Sequence, residues 1–216
     1  LNPEMKRKET LESFNFLAWH SYDPGLWLVR WDDDRFQTLE EVIEFAQKEP
    51  LVVSVGSHGG DDHVGMAYAM KAVPAFKQSK LLFSKIQQIL GKSSDMVAGN
   101  VGYYISRVME RKLRPVAVLH DEPWILLPSV PTFQEVTGQP NITYAGRTLA
   151  TANGLSEDKR AVYLAAIKRV MDNPEYQAKE RANRNFLMFR EGDDMWKLLR
   201  AGQAVAENAA YWEAAK

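Results

Sequence analysis

The chain has 216 residues with 27 basic and 28 acidic side chains, giving a net charge of −1 that offers nucleic acid or an anionic membrane no global attraction. Cysteine is absent, which excludes disulfides, thiolate metal sites and a cysteine nucleophile. No stretch approaches the ~20 apolar residues that a membrane-spanning helix needs.

Apolar strands alternate with amphipathic helices along the chain, which favours an α/β fold. In the first part of the sequence, the apolar pattern predicts strands over Phe14–Trp19 and Leu26–Trp31, separated by a turn at Asp23-Pro24-Gly25. The run Thr38-Leu39-Glu40-Glu41 is a capping box, so a helix is expected to begin there and to end before Pro50.

The segment from Leu51 to Met70, LVVSVGSHGGDDHVGMAYAM, is the most informative for function. It predicts a strand, a glycine-rich turn and a helix from about Asp62 to Val73. A glycine turn at a helix start leaves backbone N–H groups that can face a ligand. Its side chains also allow a plainer role, with Asp61 or Asp62 as the N-cap and His63 packed or hydrogen-bonded.

The remaining elements continue the alternation and then become mostly helical, which suggests two lobes joined by strands. The predicted strands are Leu81–Phe83, Asp95–Ala98, Pro115–Leu119, Ile142–Leu149 and Phe186–Phe189. The predicted helices are Ser84–Leu90, Val101–Lys112, one short helix within Pro128–Gly138, Ser156–Met171, one that starts at Pro174, and Asp193–Ala209. A small turn is expected at Gly99-Asn100, and Tyr211 and Trp212 are expected to dock the last helix.

Several segments resemble, in order, the pattern of one protein family. They are FQTLEEVIEFAQKEPLVVSVGSHGGDDH, GKSSDMVAGN, KLRPVAVLHDE with LPSVPTFQEVTG, and YAGRTLATANGLSEDKRAVYLAAIKRVMDNPEYQ. Together these segments resemble the substrate-binding proteins of the tripartite tricarboxylate transporter system, the TctC or Bug family. The resemblance extends over nearly the whole chain, and its V-P-T-F-Q-E run is fairly specific.

This resemblance implies an α/β fold of the periplasmic-binding-protein type II kind, with two α/β lobes joined by crossing strands and an incomplete first lobe. Residues 1–28 would be part of lobe one with the outgoing crossing strand, residues 29–145 lobe two, and residues 146–216 the return to lobe one. It also implies a periplasmic, non-enzymatic monomer without a cofactor. Such a protein would capture a small carboxylate-bearing or amino-acid-like ligand and deliver it to membrane transporter subunits, with no nucleic-acid partner.

The resemblance also implies a ligand site, because members of the family hold the ligand carboxylate with backbone N–H groups and water at two loop–helix junctions. Carried over residue by residue, the ligand-binding positions are Ser57, His58, Gly59, Gly60 and His63 in the first loop, Ala98, Gly99 and Asn100 in the second, and Tyr22 and Tyr144 on the crossing strands. No metal ligands are implied.

The sequence departs from the family pattern at three places. The family's opening βαβ portion has no counterpart before Leu1, and its Y-K-G-G loop is missing before Ser84. Asp61 and Asp62 stand where the family usually has small hydroxyl residues. Two carboxylates there would compete with an anionic ligand for the same donors. A ligand bearing an amine, or a loss of binding, is therefore also compatible with the sequence.

Two other functions stay open at this point. The run from His58 to His63 imitates the H-x-H-x-D-H motif of metal-dependent hydrolases, although position 60 is Gly instead of His. Only His20 and His120 remain elsewhere to complete a metal set. The other alternative is a protein-interaction module that has kept the fold and lost ligand binding.

Overall fold

The computed structural model describes residues 9–84 and 87–209, and the chain divides into two units. The first unit combines Leu1–Asp23 with Ala145–Ala204, and the second combines Pro24–Tyr144 with Val205–Lys216. The expectations for Tyr211 and Trp212, and for the chain start at Leu1, lie outside the described residues. The division into lobes at residues 28 and 145 stays a prediction.

The second unit is built on a sheet of five described strands, which are β1 (Phe14–Arg30), β2 (Val52–Val55), β3 (Lys80–Phe83), β4 (Met96–Asn100) and β5 (Leu113–Leu119). Their order in the sheet is β3-β2-β4-β1-β5. Strands β2, β3 and β4 run parallel, whereas β1 runs antiparallel to β4 and to β5. Only the end of β1, from Gly25 to Arg30, pairs in this sheet.

Five described helices and one 3-10 turn of this unit lie within residues 24–144. The helices are α1 (Leu39–Ala46), α2 (Asp61–Ala72), α3 (Gln87–Leu90), α4 (Val101–Met109) and α5 (Phe133–Thr137), and the 3-10 turn is Pro74–Gln78. The predicted helix over residues 84–90 includes residues 85 and 86, which lie outside the described residues. The predicted capping box is confirmed, because the Glu41 N–H donates to the Thr38 hydroxyl.

The core of the second unit centres on the indole of Trp27, which is fully buried. Its ring meets the edges of Phe76 and Phe133 at centroid distances of 5.6 and 5.1 Å. Edge-to-face aromatic pairs of this kind contribute about 0.5–1.5 kcal/mol each beyond the area that they bury. The sheet that carries the loops discussed below is therefore anchored by a well-packed interior.

The first unit pairs the beginning of β1 with two later strands. Strand β7 (Leu187–Arg190) runs antiparallel to β1, and β6 (Tyr144–Ala152) also pairs with β1. Helix α6 (Glu157–Met171) is tied to β1 by the Arg160 guanidinium, which donates to the Asn15 amide oxygen at 2.7 Å. The unit also contains α7 (Pro174–Ala182) and the part of α8 (Gly192–Ala209) that ends at Ala204.

The predicted turn at Asp23-Pro24-Gly25 is wrong, because β1 continues through it as one strand. Proline lacks an N–H, so the strand cannot form a regular ladder there. The strand changes partners at this point instead of reversing. The Tyr22 N–H donates to the Phe186 carbonyl at 3.0 Å, and the Gly25 N–H donates to the Thr143 carbonyl at 2.8 Å. Gly25 serves close packing, since a Cβ there would lie 2.7 Å from the Thr143 hydroxyl.

Among residues 9–84 and 87–209, no helix combines the length and the apolar character that crossing a membrane requires.

Candidate functional site

The candidate site lies at the carboxyl edge of the parallel strands in the second unit. Strands β2, β3 and β4 all end there, followed respectively by the loop Gly56–Gly60, by Ser84 and by α4. Ligands of open α/β sheets bind beyond the carboxyl ends of the strands. Two groups of predicted binding positions, Ser57–His63 and Ala98–Asn100, therefore lie at the same carboxyl edge of the sheet.

The start of α2 differs from the sequence prediction. Gly60 is the N-cap, with extended backbone, and its carbonyl accepts from the Val64 N–H at 2.9 Å. Asp61 and Asp62 are already helical residues, so their assignment as N-cap is wrong. Gly60 has no side-chain oxygen to offer the free N–H groups of the first turn of α2, so another side chain can accept from them.

Asp62 uses its carboxylate to close the loop that follows β2. One oxygen accepts from the Gly56 N–H, and the other accepts from the His63 N–H at 2.8 Å. Partial burial of the Asp62 carboxyl raises its pKa to about 6, and the nearby charge of Asp61 raises that pKa further. The hydrogen bonds from Gly56 and His63 oppose this increase.

Asp61 connects the two predicted loops. Its carboxylate accepts from the side-chain amide of Asn100 at 2.5 Å. Asn100 is the N-cap of α4, but its side chain makes no capping hydrogen bond to that helix. The side chains at the end of β4 and at the start of α2 therefore bind each other across this edge of the sheet.

The prediction that His63 is packed or hydrogen-bonded is confirmed. Its side chain is 1% exposed, and Nδ1 accepts from the Gly59 N–H at 2.9 Å. Burial lowers the pKa of His63 to about 4, with a smaller contribution from His58. This imidazole is neutral near pH 7 and stabilises the glycine turn.

Phe83 is a site residue that the sequence reasoning did not identify. Its ring centroid lies 5.0 Å from that of His58 and 4.9 Å from that of His63, and the two histidine rings are 4.8 Å apart. Phe83 is 46% exposed, which makes it an apolar surface beside the loop. Its position at the end of β3, the parallel neighbour of β2, was the signal that could have revealed it.

The residues Ala98, Gly99 and Asn100 belong to β4, so the predicted turn at Gly99-Asn100 is wrong. They pair with Trp27, Leu26 and Gly25 of β1.

Gly99 is explained by packing against α4. A Cβ at this position would lie 2.2 Å from Cε2 of Tyr104, whose ring covers the strand. Tyr104 is buried, and that burial raises the pKa of its hydroxyl. Gly99 therefore allows the ring of Tyr104 to close over the end of β4.

The two tyrosines predicted for the crossing strands belong to different units. Tyr22 is a buried residue of β1 in the first unit. Tyr144 begins β6 in the second unit, and burial raises the pKa of its hydroxyl. The binding role of both tyrosines stays a prediction, as does that of the loop residues.

The side-chain geometry does not favour the metal-dependent hydrolase. Residues 9–84 and 87–209 contain no group of three or more His, Asp or Glu side chains placed to hold a metal ion. The Nδ1 atom of His63 already accepts the hydrogen bond from Gly59.

Comparisons with known proteins give no match to a family model or to a curated protein sequence. Solved structures do match. A TctC solute-binding protein from Polaromonas superposes with a TM-score of 0.77 at 20% identity, over 96% of this chain and 73% of that one. The chain has the fold of the TctC and Bug solute-binding proteins.

Two further structures support this fold assignment. A protein from R. palustris, solved with adipate, has a TM-score of 0.76 at 15% identity and covers 92% of this chain and 69% of its own. MatC from Rhodopseudomonas palustris, solved with bound malate, has a TM-score of 0.69 at 17% identity, over 93% of this chain and 68% of that one. The predicted fold class and the resemblance to TctC and Bug proteins are therefore confirmed at the level of the fold.

Proposed function

We propose that this protein is an extracytoplasmic solute-binding protein that captures a small carboxylate-bearing metabolite. The observation that carries the proposal is the fold, which this chain shares with a TctC solute-binding protein, with a protein solved with adipate and with one solved with malate. The proposed site is the carboxyl edge of β2, β3 and β4, where the loop Gly56–Gly60 meets the start of α4.

The start of α4 supports an anionic ligand. Its N-cap residue, Asn100, makes no side-chain hydrogen bond to the first turn, and the Asn100 amide donates to Asp61. The N-terminus of a helix carries roughly half a positive charge and presents backbone donors, so a carboxylate is stabilised there. Ordered water can complete such contacts at little cost in affinity.

The proposed activity is binding and delivery, without a chemical step. Delivery to a tripartite tricarboxylate-type transporter is the second part of the proposal, and BugD, a periplasmic binding protein, shares the fold with a TM-score of 0.72. Deleting the gene is expected to abolish cellular uptake of the bound solute while the uptake of an unrelated solute continues.

Thermal unfolding with a panel of small carboxylates tests the binding proposal. A ligand present at 100 times its Kd stabilises the folded state by about 2.7 kcal/mol, which is a readily measured shift in melting temperature. Malate, adipate and amino acids belong in the panel. If no member shifts the melting temperature and native mass spectrometry detects no copurified solute, the binding proposal is wrong and the protein-interaction alternative is favoured.

A further inference from the structure

We propose that Asp62 is an internal competitor for the ligand's carboxylate and thereby sets which ligands the site accepts. This inference rests on the proposed function and concerns the same site. An anionic ligand would need the Gly56 N–H that the Asp62 side chain already occupies. The site would then accept a carboxylate well only when the Asp62 side chain carries no charge.

The geometry supports competition because the Asp62 side chain, from the first turn of α2, lies against the loop Gly56–Gly60. A Cβ built at Gly56 would contact the Asp62 carboxylate, so this side chain fills the space directly over the first residue after β2. Its second oxygen is held by the His63 N–H at 2.8 Å. The first turn of α2 thus carries its own anion in the position where a helix would otherwise bind one from solution.

Among residues 9–84 and 87–209, the charged and titratable groups that face Asp62 include no cation paired with its carboxylate. Asp61, its neighbour in α2, is negative, and the Asp62 charge raises the pKa of the Tyr104 hydroxyl in α4. His63 stays neutral because its pKa is lowered to about 4. His58 contacts the His63 ring from the loop. The positive charge of Arg107, also in α4, lowers the pKa of the Tyr104 hydroxyl.

The pH dependence of binding follows from these surroundings. The pKa of Asp62 is raised to about 6 by burial, so its carboxyl is about half charged at pH 6 and almost fully charged at pH 8, while free carboxylate ligands remain ionised over this range. When only the uncharged form binds, the apparent Kd increases by the reciprocal of the competent fraction. That relation gives an increase of about 50-fold in the apparent Kd between pH 6 and pH 8.

The test is calorimetric titration of the complete chain with malate and with adipate at both pH values. Wild-type protein is compared with Asp62→Ser, which frees the Gly56 N–H, and with Asp62→Asn, which keeps the shape and removes the charge. Asp158→Ser is the matched control, because Asp158 is also an acidic residue in the first turn of a helix, α6.

The wild-type protein and Asp158→Ser are expected to lose affinity as the pH rises, whereas both Asp62 variants should bind almost equally at the two pH values. At pH 8 the Asp62→Ser variant should bind more tightly than wild type by at least about tenfold. Should Asp62→Ser not fold, the loss or persistence of the pH dependence in Asp62→Asn decides the question, because Asn cannot ionise.

Two outcomes separate the inference from the function on which it rests. Wild-type binding that neither changes with pH nor improves in the Asp62 variants overturns the competition and leaves the binding function standing. An absence of binding by wild type and by every Asp62 variant overturns both.

Discussion

The carboxylate of Asp62 accepts a hydrogen bond from the backbone N–H of Gly56, which immediately follows β2. This contact joins the start of α2 to the end of the strand before it. The Asp62 carboxylate thereby occupies the place beyond the strand end, at the start of a helix, where an α/β protein typically binds an anion. The charge of that side chain therefore influences both the stability of the loop and its capacity to hold a ligand.

Replacing Asp62 with Asn is expected to stabilise the protein at neutral pH. The folded-state pKa of Asp62 is raised from 3.8 to about 6, so folding favours the protonated form and the wild type loses stability as the pH rises between these values. The free energy of unfolding of Asp62→Asn should exceed that of wild type by about 2 kcal/mol at pH 7, after allowance for solvent screening. Urea denaturation at pH 4 and pH 7 measures this difference, which should be nearly absent at pH 4.

Replacing His63 with Asn is expected to reduce the loss of stability at acid pH. This pH dependence is opposite in sign to the one that Asp62 causes. The folded-state pKa of His63 is lowered from 6.5 to about 4, so the unfolded chain takes up the proton first and stability is lost as the pH falls through this range. The loss amounts to about 3 kcal/mol, and an Asn side chain can still accept from the Gly59 N–H. Denaturation of His63→Asn between pH 7 and pH 4 should show less acid destabilisation than wild type. An unchanged acid profile would contradict the burial of a neutral imidazole.

Replacing Gly99 with Ala is expected to destabilise the second unit. The added Cβ would lie 2.2 Å from Cε2 of Tyr104, and overpacking of this kind costs about 1–3 kcal/mol. Chemical denaturation of Gly99→Ala, Tyr104→Ala and the double variant forms a cycle that isolates the contact. The Gly99→Ala substitution should cost much less in the Tyr104→Ala background, and equal costs in the two backgrounds would argue against the close approach.

Metal removal is expected to leave the protein unchanged. Under the proposed binding function, dialysis against a chelator should alter neither the melting temperature nor carboxylate binding, and elemental analysis should find less than one metal ion per chain. Stoichiometric zinc that is lost together with stability would favour the hydrolase alternative based on His58 and His63.

Local signals in the sequence predicted several elements well. The capping box at Thr38 and Glu41 marks the start of α1, and Pro174 is the first residue of α7. These signals succeed because the partners of a helix end lie within three or four residues along the chain. The α/β alternation and the order of family-like segments also required no knowledge of distant contacts.

Signals whose outcome depends on distant residues misled the prediction. Pro24 and Gly25 are typical of a turn, yet they continue β1 because Thr143 and β4 supply the partners for Gly25. Gly99 also suggested a turn, but its small size serves the ring of Tyr104. In both cases tertiary packing overrides the local preference of the residue.

The sequence by itself determined the α/β class, the likeness to TctC and Bug proteins, and the presence of two carboxylates where an anion would be expected. Only the tertiary structure decided what those carboxylates do: Asp62 binds Gly56, Asp61 binds Asn100, and Phe83 covers the histidines. The physical reason is that the parallel sheet brings the ends of β2, β3 and β4 to one edge, where hydrogen bonds depend on distances in space between residues far apart in the chain.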